Sequence, residues 1–314
     1  MEHLIFSLNA TAPVFATMLL GMLFRRCGLF TAAFADRLNA FVFRAALPLL
    51  LFEELATENF YAVWDGRFVL FCLGTTLLCV AAAVALSCFL RDTSRRGEFI
   101  QGAYRSSAAI LGIAFIQNMY GGAGMAPMMI VGTVPLYNVM AVVTLALTRP
   151  QRGRFNRALL GKTLLDIAKN PIIWGILGGL AWSLLRLPMP AMLEKTVHNV
   201  AVLATPLGLM AMGAAFEWKK ATAQIGTAMG AGALKLAGFC ALFLPLAVAC
   251  GFRAEELVAI LVMLGSPTTV SSYIMARNMG HDGTLTSSIV MLTTALSAFT
   301  LTAWLFMLRW LALI

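Results

Sequence analysis

The chain has 314 residues, of which 60% are hydrophobic and 12% charged, with a mean hydropathy of +0.85. A single water-soluble core cannot hide that much apolar surface, so most of the chain must face lipid or other apolar helices. The formal charge of +9 comes from Lys and Arg in short loops between long apolar runs, a pattern that argues against a nucleic-acid-binding stripe and fits the positive-inside rule.

The first apolar run, Leu4 to Phe24, has only Glu2 and His3 before it, and Arg25 and Arg26 follow it. That charge order predicts a retained span with its N-terminus outside rather than a cleaved leader. Taking about 20 residues per crossing, spans are predicted at 4–24, 37–53, 67–90, 102–120 and 127–148, then at 168–187, 192–216, 225–250, 254–278 and 284–308. The fold class expected is all-α integral membrane with ten transmembrane helices and linkers too short for a soluble domain. Alternating the loops from an outside N-terminus puts sixteen of the 23 basic residues inside. They form clusters at Arg25, Arg26 and Arg37, at Arg91 to Arg105, at Arg149 to Lys169, and at Lys219, Lys220 and Arg277. The expected location is the inner (cytoplasmic) membrane, multi-pass, with both termini outside.

Pairs of residues recur at nearly the same offset: Pro13 and Pro171, Gly21 and Gly179, and Pro48 and Pro206 are each 158 apart, and Asn118-Met119 returns as Asn278-Met279 at 160. This divides the chain into a five-helix repeat at 1–148, a basic linker at 149–167 and a second repeat at 168–314. An odd number of crossings reverses the copy, so the halves are predicted to be inverted, the arrangement on which alternating access is built.

Each half holds one span that reads badly as a continuous helix. The ninth carries Gly265-Ser266-Pro267-Thr268-Thr269 with Ser271 and Ser272, and Pro267 removes a donor at mid-span, which hydrocarbon tolerates only where a cavity is lined. The fourth carries Ser106, Ser107 and Gly112 in the corresponding place. Cavity lining and a simple helix-packing face of small hydroxyl residues both remain open for these stretches. Arg44 and Lys235 fall within spans, on the order of 10–15 Å deep at 1.5 Å per residue, and no acidic residue is expected at that depth. They either draw a substrate carboxylate inward or snorkel to the interface. Lys235 is singled out as lying beside the substrate path.

The six cysteines, Cys27, Cys72, Cys79, Cys88, Cys240 and Cys250, show no metal-ligand spacing and read as reduced packing residues, so no cofactor is expected. His198 reads as structural or as a coupling site near the outer end of span seven. Glu53, Glu54 and Asp166 sit at span ends and are given no transport role.

At this point the residues resemble the auxin efflux carrier family. Pro13 to Gly21, Arg25-Arg26-Cys27-Gly28 and Leu38-Asn39 to Pro48 are similar to its first two spans. Lys169-Asn170-Pro171-Ile172-Ile173, Gly178, and Ala204-Thr205-Pro206-Leu207 to Ala214 are similar to its sixth and seventh, and Ser266 to Ser272 with Ala276 and Asn278 to its ninth. The resemblance, to the malonate and malate permease branch in particular, implies a fold like that of the bile-acid:sodium symporters, with crossover helices 4 and 9 broken at the midplane. The family's fourth-span pattern of Asn and Pro around Gly112 is replaced here by Ser107 and Ala114, so a milder break is expected in that helix.

The function expected is therefore a secondary carrier of small organic anions, a mono- or dicarboxylate such as malonate, malate or an auxin-like acid. Alternatives are a sodium-coupled organic anion symporter of bile-acid type and a channel-like facilitator. No nucleophile, metal or paired-acid constellation of an intramembrane enzyme is found. The substrate site is predicted from Ser106, Ser107, Gly112, Asn118, Lys235, Ser266, Pro267, Thr268, Thr269, Ser271, Ser272, Asn278 and Arg44. The expected partners are that anion and the lipid bilayer, with no nucleic acid and with a homodimer left open.

Overall fold

The computed structural model describes residues 2–57, 65–108, 113–120, 124–150 and 165–314, and among these every regular element is helical. The long apolar runs become helices because backbone N–H and C=O groups in an apolar medium must pair within their own segment. Among the described residues, five helical stretches are long and apolar enough to cross a membrane: Gly66–Ser87, Ala126–Leu147, Ala191–Ala215, Ile225–Ala249 and Thr284–Trp310, of 22 to 27 residues. Large apolar side chains stand on the outer surface, among them Phe89, Trp310, Phe306, Leu70 and Trp174. A water-facing surface would not carry them in such numbers.

In chain order, α1 is Glu2–Arg26 and α2 is Ala32–Phe41, which Thr31 caps by accepting from Phe34 N–H. A π turn at Val42–Ala46 leads into α3, Leu47–Ala56. Next come α4 (Gly66–Ser87), α5 (Arg96–Tyr104), α6 (Ile113–Tyr120) and α7 (Ala126–Leu147). The rest of the chain gives α8 (Pro171–Leu184), α9 (Ala191–Ala201), α10 (Ala204–Ala215) and α11 (Trp218–Ala223). Then α12 (Ile225–Ala233) passes through a second π turn, Leu234–Gly238, into α13 (Phe239–Ala249), followed by α14 (Ala254–Gly265), α15 (Ser271–Asn278) and α16 (Thr284–Trp310).

The helices pair across the chain. The two most extensive contacts are α1 on α10 and α3 on α8, and α4 packs on α7 as α12 packs on α16. Glycine makes the first two approaches close. A β-carbon on Gly21 would collide with the Met210 carbonyl, and one on Gly213 with the Met18 carbonyl. Across the other pair, Gly179 faces the Phe52 carbonyl and Gly175 the Pro48 carbonyl. Small residues at such points let two backbones touch, which is the main source of helix association where lipid is as apolar as leucine.

Two sequence expectations change. The helix expected as the fourth span, α5, begins at Arg96 rather than near 102, because Gly97 to Tyr104 is buried between other helices and needs no lipid-like composition. Arg105, counted among the inner-loop basic residues, is instead 2% exposed in the protein interior, about nine residues and so roughly 13 Å along that helix.

Candidate functional site

The centre of the molecule is where two interrupted helices cross. The α14 helix stops at Gly265, residues 266–270 are non-helical, and α15 resumes at Ser271. Likewise α5 stops at Tyr104 with Arg105 extended (φ −79°, ψ 125°), and α6 begins at Ile113. The milder break expected in the fourth helix falls partly on residues 109–112, Gly112 included, which lie outside the described residues. Within the described residues that helix breaks without a proline.

Each break supplies what the other lacks. Pro267 has no N–H for the Met263 carbonyl, and that oxygen instead accepts from the hydroxyls of Ser106 and of Tyr137, the latter at 3.2 Å. Thr268 N–H, the helical partner of the Leu264 carbonyl, goes to Thr293 Oγ1 at 3.1 Å, and Leu264 accepts from Lys235 Nζ. From the other side, the Gly102 carbonyl left open by the end of α5 accepts from Thr268 Oγ1 at 2.7 Å, and Ser107 N–H donates to the Pro267 carbonyl at 2.9 Å. Gln101 Nε2 adds a bond to the Ser272 carbonyl at 2.9 Å. Away from water each unmet backbone group would cost several kcal/mol, on the order of the 2–7 kcal/mol of an unpaired polar transfer, so this reciprocal pairing is what permits both breaks.

Both α5 and α14 bring their C-terminal, partly negative ends to the crossing, and two buried cations stand there, Arg105 and Lys235. Such placement is favourable for a cation and a helix end. Arg105 donates to Asn138 Oδ1 and to Met275 Sδ, the latter at 2.7 Å. Its helix is anchored by Glu98, 3% exposed, whose carboxylate accepts from Gly283 N–H at 3.0 Å and Thr286 N–H at 2.8 Å at the start of α16. Lys235, 1% exposed, sits on the second π turn and donates to Ser106 Oγ and the Leu264 carbonyl.

Beside the crossing is a cavity of about 50 Å³, room for a few waters at about 10–15 Å³ each and so for a carboxylate group. Arg105, Ser106, Ser107, Asn138, Tyr137, Thr205, Thr269 and Ser271 supply its polar wall, Leu47, Leu50, Val134 and Ile274 its apolar wall, and Glu54 also borders it. Thr269 and Ser271 lie within hydrogen-bond reach of each other at 3.2 Å. The first turn of α15 begins on the same wall, with its Ser272, Tyr273 and Ile274 N–H groups bonded to the Thr269 and Val270 carbonyls.

Among the residues singled out from sequence, Ser106, Ser107, Thr269 and Ser271 line the cavity. Ser266, Pro267, Thr268 and Ser272 belong to the crossing but not to the cavity wall; Ser266 Oγ and Ser272 Oγ are buried without a partner. Lys235 is likewise turned to the crossing rather than the cavity, because its ammonium is occupied by protein oxygens. Asn278 ties α15 to α2, donating to the Asn39 carbonyl at 3.2 Å and the Ile274 carbonyl at 2.8 Å. Arg44 is exposed on the first π turn and is not a cavity residue. The side chain of Asn118 lies outside the described residues.

Sequence reasoning missed Arg105, Asn138, Tyr137, Thr205 and Glu54. A signal for the first was present: Arg105 directly precedes Ser106-Ser107, the first-half counterpart of the hydroxyl cluster around Pro267. Glu54, read as a solvated span end, borders the cavity. His198 pairs with Glu53 at 2.8 Å on the exposed side of α9.

A family model described as "Membrane transport protein" matches residues 6–305. The chain belongs to this family of membrane transport proteins, the auxin efflux carriers, and is a multi-pass membrane transporter rather than an enzyme. One relative, from Rhizobium meliloti (strain 1021) and described as "Putative malonate transporter", is 25% identical over 321 residues, spanning 95% of this chain and 94% of its own.

Proposed function

We propose that the protein is a secondary carrier of small organic anions that binds a carboxylate in the cavity beside the helix crossing and moves it by alternating access. The observation that carries this reading is Arg105, a buried guanidinium on the cavity wall that is hydrogen-bonded to the neutral Asn138 and Met275 and lies within electrostatic reach of the Glu54 carboxylate bordering the same cavity. Hydroxyls of Ser107, Thr269 and Ser271 stand around it, and a small anion held by a fork of donors and several hydroxyls is the ligand such a wall suits. Malonate is the first candidate because of the relative's description, with malate and monocarboxylates next.

The same reading takes the chain as ten crossings in two inverted five-helix repeats. Support comes from the exchange of contacts between halves: Gly21 against Met210 and Gly179 against Phe52 are the same contact with both residues moved by 158 positions in opposite senses. The pairing of α4 with α7 and of α12 with α16 follows the same rule. An outside N- and C-terminus in the cytoplasmic membrane is supported by the inside bias of basic residues, which survives the removal of Arg105 from the loop count.

Purified protein in liposomes decides the matter. Labelled malonate, malate and a set of monocarboxylates should enter in a saturable way, with unlabelled carboxylate competing and neutral analogues failing to compete. No saturable uptake of any carboxylate into tight vesicles would overturn the proposal.

A further inference from the structure

Lys235 poses a problem that the cavity does not solve. Its ammonium is buried, no carboxylate among the described residues is bonded to it, and it lies off the cavity wall. An intramembrane charge is retained only where it is compensated. Here the compensation comes from oxygens of two different helices: the Leu264 carbonyl at the negative end of α14, and Ser106 Oγ just beyond the end of α5, which directs its own proton to the Met263 carbonyl. Hydroxyl and carbonyl oxygens at facing helix ends are the donor set that binds a small monovalent cation. The π turn at Leu234–Gly238 supplies the aim, and it is fixed by Trp304 Nε1 donating to the Leu236 carbonyl at 3.0 Å. Such turns change which way a side chain leaves a helix.

We propose that Lys235 is a tethered cation that occupies, as part of the chain, the place between the two broken helices that a free sodium ion would otherwise have to fill. The carrier therefore needs no sodium, and the crossing is held together by a cationic side chain that cannot diffuse away. Arg105 is left as the cation that meets substrate, and Lys235 is a positioning residue that holds Ser106 and the end of α14 against each other. The inference rests on the carrier reading for its transport consequence, but not for its binding consequence: removing the side chain should leave a hole lined by oxygens that accepts small cations.

The test uses the full chain. In liposomes, uptake of labelled malonate by the unaltered protein should agree within about twofold between sodium and choline media, since a ligand that binds no state differentially shifts nothing. In detergent, Lys235→Ala should melt at a lower temperature than the unaltered protein. Sodium, ammonium or methylammonium chloride should raise that temperature relative to choline chloride, with no such rise in the unaltered protein, because a ligand bound only by the folded state stabilises it. Where Lys235→Ala transports malonate poorly, the same cations should restore uptake. Uptake that depends strongly on sodium in the unaltered protein would overturn the proposal, as would a Lys235→Ala melting temperature indifferent to all three cations. If Lys235→Ala does not fold, the sodium and choline comparison decides alone. If no carboxylate is transported, the carrier reading fails while the melting experiment still judges Lys235.

Discussion

Replacing Arg105 with Gln should lower carboxylate uptake by roughly 100-fold, the loss expected when one charge-assisted hydrogen-bond pair of about 3 kcal/mol is removed from a buried site. The side chain reaches the cavity from the C-terminal end of α5, with Asn138 Oδ1 and Met275 Sδ fixing its fork. Arg105→Lys should not rescue it, since a single ammonium cannot hold both partners and still present a planar pair of donors. Arg44→Gln, by contrast, should leave uptake within about twofold, as expected for a side chain that lies outside the cavity. The two variants share a change in formal charge, so a purely electrostatic effect of net charge would treat them alike. Uptake assayed at equal amounts of reconstituted protein separates these outcomes.

A second large effect is expected in the packing rather than the site. At Gly213 an added β-carbon would lie inside the Met18 carbonyl, and the obstruction is backbone, which no rotamer change relieves. Gly213→Val should therefore force α1 and α10 apart and lower the stability of detergent-solubilised protein by about 3 kcal/mol, seen as a melting temperature roughly 10 °C lower. Gly74→Ala is the control, because a β-carbon there meets nothing within 4 Å, and its melting temperature should hold or rise with the better helix former. Equal behaviour of the two variants would mean that the α1–α10 contact does not limit stability.

The break in the ninth helix was readable because its cause is local: Pro267 lacks an N–H wherever it sits, and α14 stops two residues before it. The fourth helix was harder, since nothing in Tyr104 to Ser107 forbids a helix. Its break depends on acceptors and donors more than 150 positions away, at Met263, Pro267 and Thr268. Hydropathy also placed Arg105 on the wrong side of a boundary, because a helix buried among helices, with Glu98 and Gln101 in its own interior, does not read as a span. Depth was legible for Lys235 but direction was not. A π turn rotates the residues after it about the helix axis, and only the folded chain shows that the ammonium meets Ser106 and Leu264. The hydroxyls of Ser107, Thr269 and Ser271 could be picked from composition, whereas Asn138, Tyr137 and Thr205 lie on helices whose sequences give no sign of facing a cavity.

The most direct test of a substrate cavity at the crossing is the reactivity of a cysteine placed in it. With the six native cysteines replaced, Ser271→Cys on the cavity wall should react with a small membrane-impermeant thiol reagent, from the outside in one state and the inside in the other. Malonate or another transported carboxylate at about ten times its Kd should slow that reaction roughly tenfold by occupying the site. A rate that no carboxylate changes, or an introduced thiol that stays unreactive from both sides in actively transporting vesicles, would contradict the account.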